Sequence, residues 1–166
     1  MKLFKILITA LLFTTLSTGA FAQLRLGAGV GFAFDSEAFT IFGRGAYDIN
    51  DKLRINATYN YYFPEAVATI DDINVSDINV DLHYTFVRLS TISFYGLAGA
   101  NFIRSSVKFN GDKTSDSDFG LNVGAGGLFG VADNIDVMAE FKYTIGGTEQ
   151  LFFNAGLLFS FLGGDN

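Results

Sequence analysis

Beyond residue 22 the chain repeats segments of roughly ten residues in which apolar side chains alternate with polar or small ones, and helical periodicity is nearly absent. A strand sends successive side chains to opposite faces. Ile135, Val137, Ala139, Phe141, Tyr143 and Ile145 therefore share one face, and Asp136, Met138, Glu140, Lys142 and Thr144 the other. Such a chain must fold by forming sheets that meet an apolar medium on one side only. A half-buried soluble sandwich and a lipid-embedded sheet both satisfy that condition, so alternation leaves the two open.

Alternation and turn-forming residues mark eight strands. Strand one, Leu24 to Phe34, sets Leu24, Leu26, Ala28, Val30, Phe32 and Phe34 against Arg25, Gly27, Gly29, Gly31 and Ala33. Strand two (Phe39 to Ile49) and strand three (Leu53 to Phe63) obey the same rule around the tight turn Asn50-Asp51-Lys52. In strand four the apolar parity slips, from Ile73 and Val75 to Ile78, Val80, Leu82, Tyr84 and Phe86. One extra residue near Ser76-Asp77 would restore a single apolar face, so a β-bulge is expected there. Strand five, roughly Ser93 to Phe109, offers two apolar sets; Arg104 and Lys108 tip the choice to Tyr95, Leu97, Ile103, Val107 and Phe109 as the outward set, with Asn101 dissenting. Strand six is Phe119 to Val131, strand seven Ile135 to Ile145 and strand eight Leu151 to Leu162. Asn50 to Lys52, Val87 to Thr91 and Ala132 to Asn134 are short connections, whereas Pro64 to Asp71 and Asn110 to Asp118 are longer and polar loops.

The first 22 residues read as an export signal: Lys2 and Lys5 open it, Ile6 to Phe13 form its apolar core, and Ala20-Phe21-Ala22 supplies a small-x-small cleavage pattern before Gln23. Residues 23–166 then form one domain by length. No cysteine is present, which excludes cysteine lipidation and disulfide stapling. The net charge of −6 becomes more negative once Lys2 and Lys5 are lost, which argues against a nucleic-acid partner. Abundant aromatics (19 Phe and 7 Tyr) and a single proline suit a closed sheet with aromatic girdles. The face that carries Arg, Asp, Glu and Asn is also the one crowded with glycine, the inverse of a lipocalin, whose interior is apolar. The expected fold is all-β: an eight-stranded antiparallel up-and-down transmembrane β-barrel, with both termini and the short turns in the periplasm and the longer loops outside.

The last strand carries Asn154, Gly156, Phe159 and Phe161 in the pattern polar-x-Gly-x-x-aromatic-x-aromatic. With it, the chain resembles over Gln23 to Phe161 the small eight-stranded outer-membrane barrels of the OmpA-like and OmpX-like group, the outer membrane protein β-barrel domain. The resemblance implies a bacterial outer-membrane location and delivery by the outer-membrane assembly machinery, which would read that pattern. It also implies contact with outer-membrane lipid and lipopolysaccharide. Family members often end on the final aromatic, whereas Leu162-Gly163-Gly164-Asp165-Asn166 follows here. The peptidoglycan-binding domain that some relatives carry is not expected. The barrel is expected to be a monomer.

The strand assignment turns Arg25, Arg44, Arg54 and Lys142 inward together with Asp48, Asp81, Asp136 and Glu140. Asp48 and Arg54 should face each other across the first periplasmic hairpin, with Arg25 approaching Asp48 from strand one. An eight-stranded lumen is only wide enough for side chains to fill, so these charges must pair. Three functions fit such a molecule. One is a structural, envelope-integrity or surface-interaction role without bulk porin activity. Another is a narrow ion path gated when Arg44 exchanges its Glu140 partner. The last is lipid A modification, which some small outer-membrane barrels perform with a histidine, a serine and a carboxylate near the outer surface. The single histidine, His83, lies near the periplasmic end of strand four, out of reach of a serine at the outer rim such as Ser36 or Ser105, and is expected to bond to Asp81 or Asn79. No enzyme activity and no cofactor are expected. Asp72 to His83 faintly resembles a calcium loop but lacks glycine at the sixth position and glutamate at the twelfth, so no metal is expected. The acidic outer residues Asp35, Glu37, Glu65, Asp71, Asp72, Asp112, Asp116 and Asp118 suit either solvation or divalent cations among lipopolysaccharide phosphates.

Overall fold

The computed structural model describes residues 24–63, 72–109 and 112–161. Its strands are β1 Leu24–Ala33, β2 Ala38–Asp48, β3 Leu53–Phe63, β4 Asp72–Arg88, β5 Ile92–Phe109, β6 Asp112–Ala132, β7 Ile135–Ile145 and β8 Gln150–Ser160. Each pairs antiparallel with the next, and β8 returns to β1, so the sheet closes into an eight-stranded barrel with no free edge along the closed wall. Alternation does what the pleat requires: along β2, β3 and β7 exposed and buried residues follow one another almost without exception. The outward face is graded by depth. Small residues such as Gly43, Ala57, Ala98, Ala125 and Ala139 occupy many strand midpoints, with Tyr59 and Phe141 as exceptions, while Tyr47, Tyr84, Phe94 and Phe129 ring the periplasmic end and Phe39, Phe63, Phe102 and Phe119 the outer end. That distribution matches a hydrocarbon slab bounded by two interfaces.

Strands four and five differ from the sequence expectation. β4 keeps unbroken register with β5 from Asp72 to Thr85, so the bulge is not at Ser76-Asp77; the register shifts between Thr85 and Val87. Phe86 and Val87 both face outward there, and the changed parity turns Arg88 toward the periplasmic mouth. On β5 the even set, Phe94, Ala98 and Phe102, is outward, while Tyr95, Leu97 and Asn101 are buried inside. One physical cause explains both departures. At 17, 18 and 21 residues, β4, β5 and β6 outrun the 10 or 11 residues of the other strands and continue past the outer end of the closed wall. There the outer side is water, and the lumen is capped by apolar side chains: Ala33, Ala38, Tyr62 and Phe152, with Val75 and Ile103 packed against them. The polarity of the two faces therefore reverses along a continuous strand, and Arg104 lies exposed on the water side.

The same extension replaces most of the loop expected at Asn110 to Asp118. β6 pairs with β5 from Phe109↔Asp112 inward, placing Asp112, Asp116 and Asp118 on a strand. Asp72 likewise begins β4, so the run resembling a calcium loop is extended strand. β8 ends at Ser160; Leu162 lies outside the described residues, as do the Pro64 to Asp71 loop and the export signal with its cleavage residues Ala20, Ala22 and Gln23.

The closing seam between β1 and β8 brings two glycines together at its midpoint on the inner side. Gly29 pairs with Gly156, and a Cβ placed on Gly29 would lie 2.6 Å from the Gly156 Cα and 2.7 Å from Cζ of Phe42, whose ring lies across the joint. At the outer end of the seam Phe34 N–H donates to the Leu151 carbonyl (2.9 Å) and Leu151 N–H to the Asp35 carboxylate (2.7 Å).

Candidate functional site

The inner faces of the strands converge on a lumen filled with side chains, arranged in tiers from the periplasm outward. At the mouth, Asp48 accepts from Arg25 Nε at 2.8 Å and from Arg54 Nε at 2.5 Å, the latter directly across the β2–β3 hairpin, and Arg25 Nη1 donates to Asp136 at 2.6 Å. Arg25, Asp48 and Asp136 remain partly exposed to the periplasm, whereas Arg54 is nearly enclosed.

The central tier is fully enclosed. Arg44 grips Glu140 with two parallel bonds of 3.0 and 2.9 Å and donates its Nε to Thr58 at 2.9 Å. Tyr95 donates its hydroxyl to the same carboxylate at 2.9 Å. His83 stacks on the Tyr95 ring with centroids 4.3 Å apart, and its Nε2 lies 3.7 Å from Glu140. The histidine is thus lumenal, but its neighbours are Tyr95 and Glu140; among the described residues it bonds to neither Asp81 nor Asn79, and no serine joins this cluster. On the other side the tier leans on an apolar half-core of Phe42, Ala46, Tyr95, Leu97, Leu128, Met138 and Leu158. The sequence does not reveal this half-core by alternation, which turns Tyr95 and Leu97 to the lipid.

Above it, Lys142 donates to Asn79 Oδ1 at 2.7 Å and sits 3.7 Å from Asp81. Asn101 and Asn122 donate to the same Asn79 oxygen at 2.9 Å each, and Asn122 also reaches Asp81 at 2.7 Å. Asp77 is held by neutral donors only, Asn60, Asn79 and Tyr62. Asparagines at inner parity on adjacent strands were the available sequence signal for this tier.

Glycine makes the packing possible. Glu140 lies opposite Gly126, Lys142 opposite Gly124, Asp81 opposite Gly99 and Arg44 opposite Gly27. A Cβ on Gly126 would fall 2.5 Å from the Tyr95 hydroxyl, and one on Gly99 2.3 Å from Oδ1 of Asp81. Each of these four charged side chains thus lies across from a residue with no side chain of its own. The arrangement places every one of the eight charges expected inside on the inner wall, and charged groups with no access to water are met by partners.

The family model for the outer membrane protein beta-barrel domain matches residues 7–161. The chain belongs to that family. It is accordingly a small integral barrel of the bacterial outer membrane. Among solved structures of this fold, Neisserial surface protein A is similar at 23% identity and a TM-score of 0.72, covering 83% of this chain and 97% of that one. The N-terminal barrel domain of Pseudomonas aeruginosa OprF matches at 17% identity and 0.69, with 83% and 96% covered. Ail, the attachment invasion locus protein of Yersinia pestis, matches at 18% and 0.61, with 82% and 95% covered. No curated protein matches the chain.

In this outer-membrane barrel, β8 sends Asn154 inward, fully buried, and Phe159 outward to the lipid side, with Phe161 exposed just past its end, while Gly156 lies at the closing seam. The candidate assembly residues therefore occupy three different environments.

Proposed function

We propose that this barrel acts in the outer membrane as a structural, envelope-integrity or surface-interaction protein and not as a bulk porin or an enzyme. The observation that carries this reading is the enclosed Arg44–Glu140–Tyr95–His83 tier, whose side chains fill the cross-section where a pore would run. The other end of the molecule supports the surface role, since β5 and β6 rise beyond the barrel wall as a hairpin whose residues 114–119 are all exposed. Its neighbours in this reading are outer-membrane lipid and lipopolysaccharide, and Asn154, Gly156, Phe159 and Phe161 serve as its signal to the assembly machinery. It works as a monomer.

The test pairs two measurements. Proteoliposomes bearing the purified barrel should swell in small sugars at near-background rates; rapid sugar entry would overturn the reading. A deletion strain should show envelope stress or lose surface adhesion, and a variant with β5–β6 trimmed to the length of β7–β8 should separate the two by losing adhesion alone. A narrow ion path is the second reading, favoured by polar groups that run from Arg25 to Asp77 along the lumen. Planar-bilayer conductance that appears in Glu140→Gln and is absent from the wild type would support it.

A further inference from the structure

The bulge at Phe86 has a chemical result at the periplasmic end. By reversing parity it brings Arg88 round to the lumenal mouth, where a cavity of about 170 Å³ is lined by Arg25, Arg54, Arg88, Thr91, Ser93 and Asp136. Leu89, Ser90, Ile92, Leu128 and Gly130 complete its walls. The volume exceeds the roughly 10 to 15 Å³ that one water requires by an order of magnitude. Three guanidinium groups meet two carboxylates here, Asp48 and Asp136, leaving one positive charge in surplus. Their donors are also in surplus. Arg25 uses Nε and Nη1, Arg54 uses only Nε, and Arg88 uses Nη2 on the Asp51 carbonyl at 2.6 Å; among the described residues the other guanidinium nitrogens have no acceptor. Guanidinium forks offer paired N–H groups at the spacing of oxyanion oxygens, and apolar walls strengthen the attraction.

We propose that the periplasmic mouth is a binding site for a phosphate-type oxyanion, held by Arg25, Arg54 and Arg88 from three sides with Thr91 and Ser93 as hydroxyl donors. The phosphate comes either free from the periplasm or as the headgroup of an inner-leaflet phospholipid at the barrel rim. Asp136 competes with it for Arg25. The site is distinct from the enclosed central tier, and it serves a barrel of any wider role.

The test uses the full exported chain, isotope-labelled and refolded in maltoside micelles, which contain no phosphate. Inorganic phosphate is titrated against chloride at constant ionic strength while the arginine Nε–Hε resonances are followed. A saturable shift is expected. Arg88→Gln, at an exposed position, should weaken binding about tenfold or more, and Asp136→Asn should tighten it. A purely structural arginine cluster would not gain affinity from loss of a carboxylate. Competition by phosphatidylglycerol added to the micelles identifies the headgroup as the source, and lack of competition identifies free phosphate. A linear or absent response in the wild type, or equal affinity in both variants, overturns the proposal.

Discussion

At Glu140 two guanidinium nitrogens and a phenol converge inside a tier closed to solvent, whereas Asp48 shares two arginines with the periplasm. That difference in burial sets the expected cost of removing each. Glu140→Ala leaves Arg44 charged, enclosed and unpaired, and should destabilise by about 3 to 5 kcal/mol. Asp48→Ala leaves Arg25 with Asp136 and the nearly enclosed Arg54 facing the mouth cavity, so its cost should fall between about 1 and 3 kcal/mol. Exchanging Arg44 and Glu140 together for apolar residues of similar volume should cost less than Glu140→Ala alone. Urea unfolding in lipid vesicles measures all three; equal losses for Glu140→Ala and Asp48→Ala would show that enclosure is not what makes the central pair matter.

On the scale of a strand, β5 is where sequence and structure part. Six strands could be given an outward face from alternation alone, because the stretches read as strands, β6 from Phe119 onward among them, lie within the slab where outside means lipid and inside means polar. β4 and β5 cross its outer boundary, and Arg104, which marked the even face as lumenal, is a solvent-facing residue beyond the membrane. Asn101, the residue that dissented, was the better witness, since it sits within the slab and is buried. The inward charges were legible for the same reason: long ionic side chains inside the slab have only one place to go. The Tyr95–His83 stack was not legible, because an aromatic at inner parity reads as a lipid-facing residue until its strand is placed. The sequence contains no tryptophan, which makes β5 directly testable. In single variants Phe94→Trp and Phe102→Trp, lipids brominated along their acyl chains should quench fluorescence strongly, and in Tyr95→Trp hardly at all. The opposite pattern would restore the odd face to the lipid.

For the molecule as a whole, the joint between β1 and β8 governs the order of assembly. These strands are the most widely separated pair in the chain, so their meeting carries the largest loop-closure cost and falls last in an order set by sequence separation. A joint made last must be made against a lumen already packed. At the middle of the joint Gly29 and Gly156 present no side chain to be threaded past that packing, so there the strands meet through their backbones and the Phe42 ring settles over them. Gly29→Ala puts a methyl group in that path and should slow the appearance of the compact, fast-migrating form on unboiled gels during refolding. Gly43→Ala, whose added methyl meets nothing within 4 Å, should leave the rate unchanged. Equal rates for the two variants would place closure elsewhere in the sequence of events. The bare midpoint of the seam is thus a kinetic property: the barrel keeps a door that can shut after everything inside has been put in place.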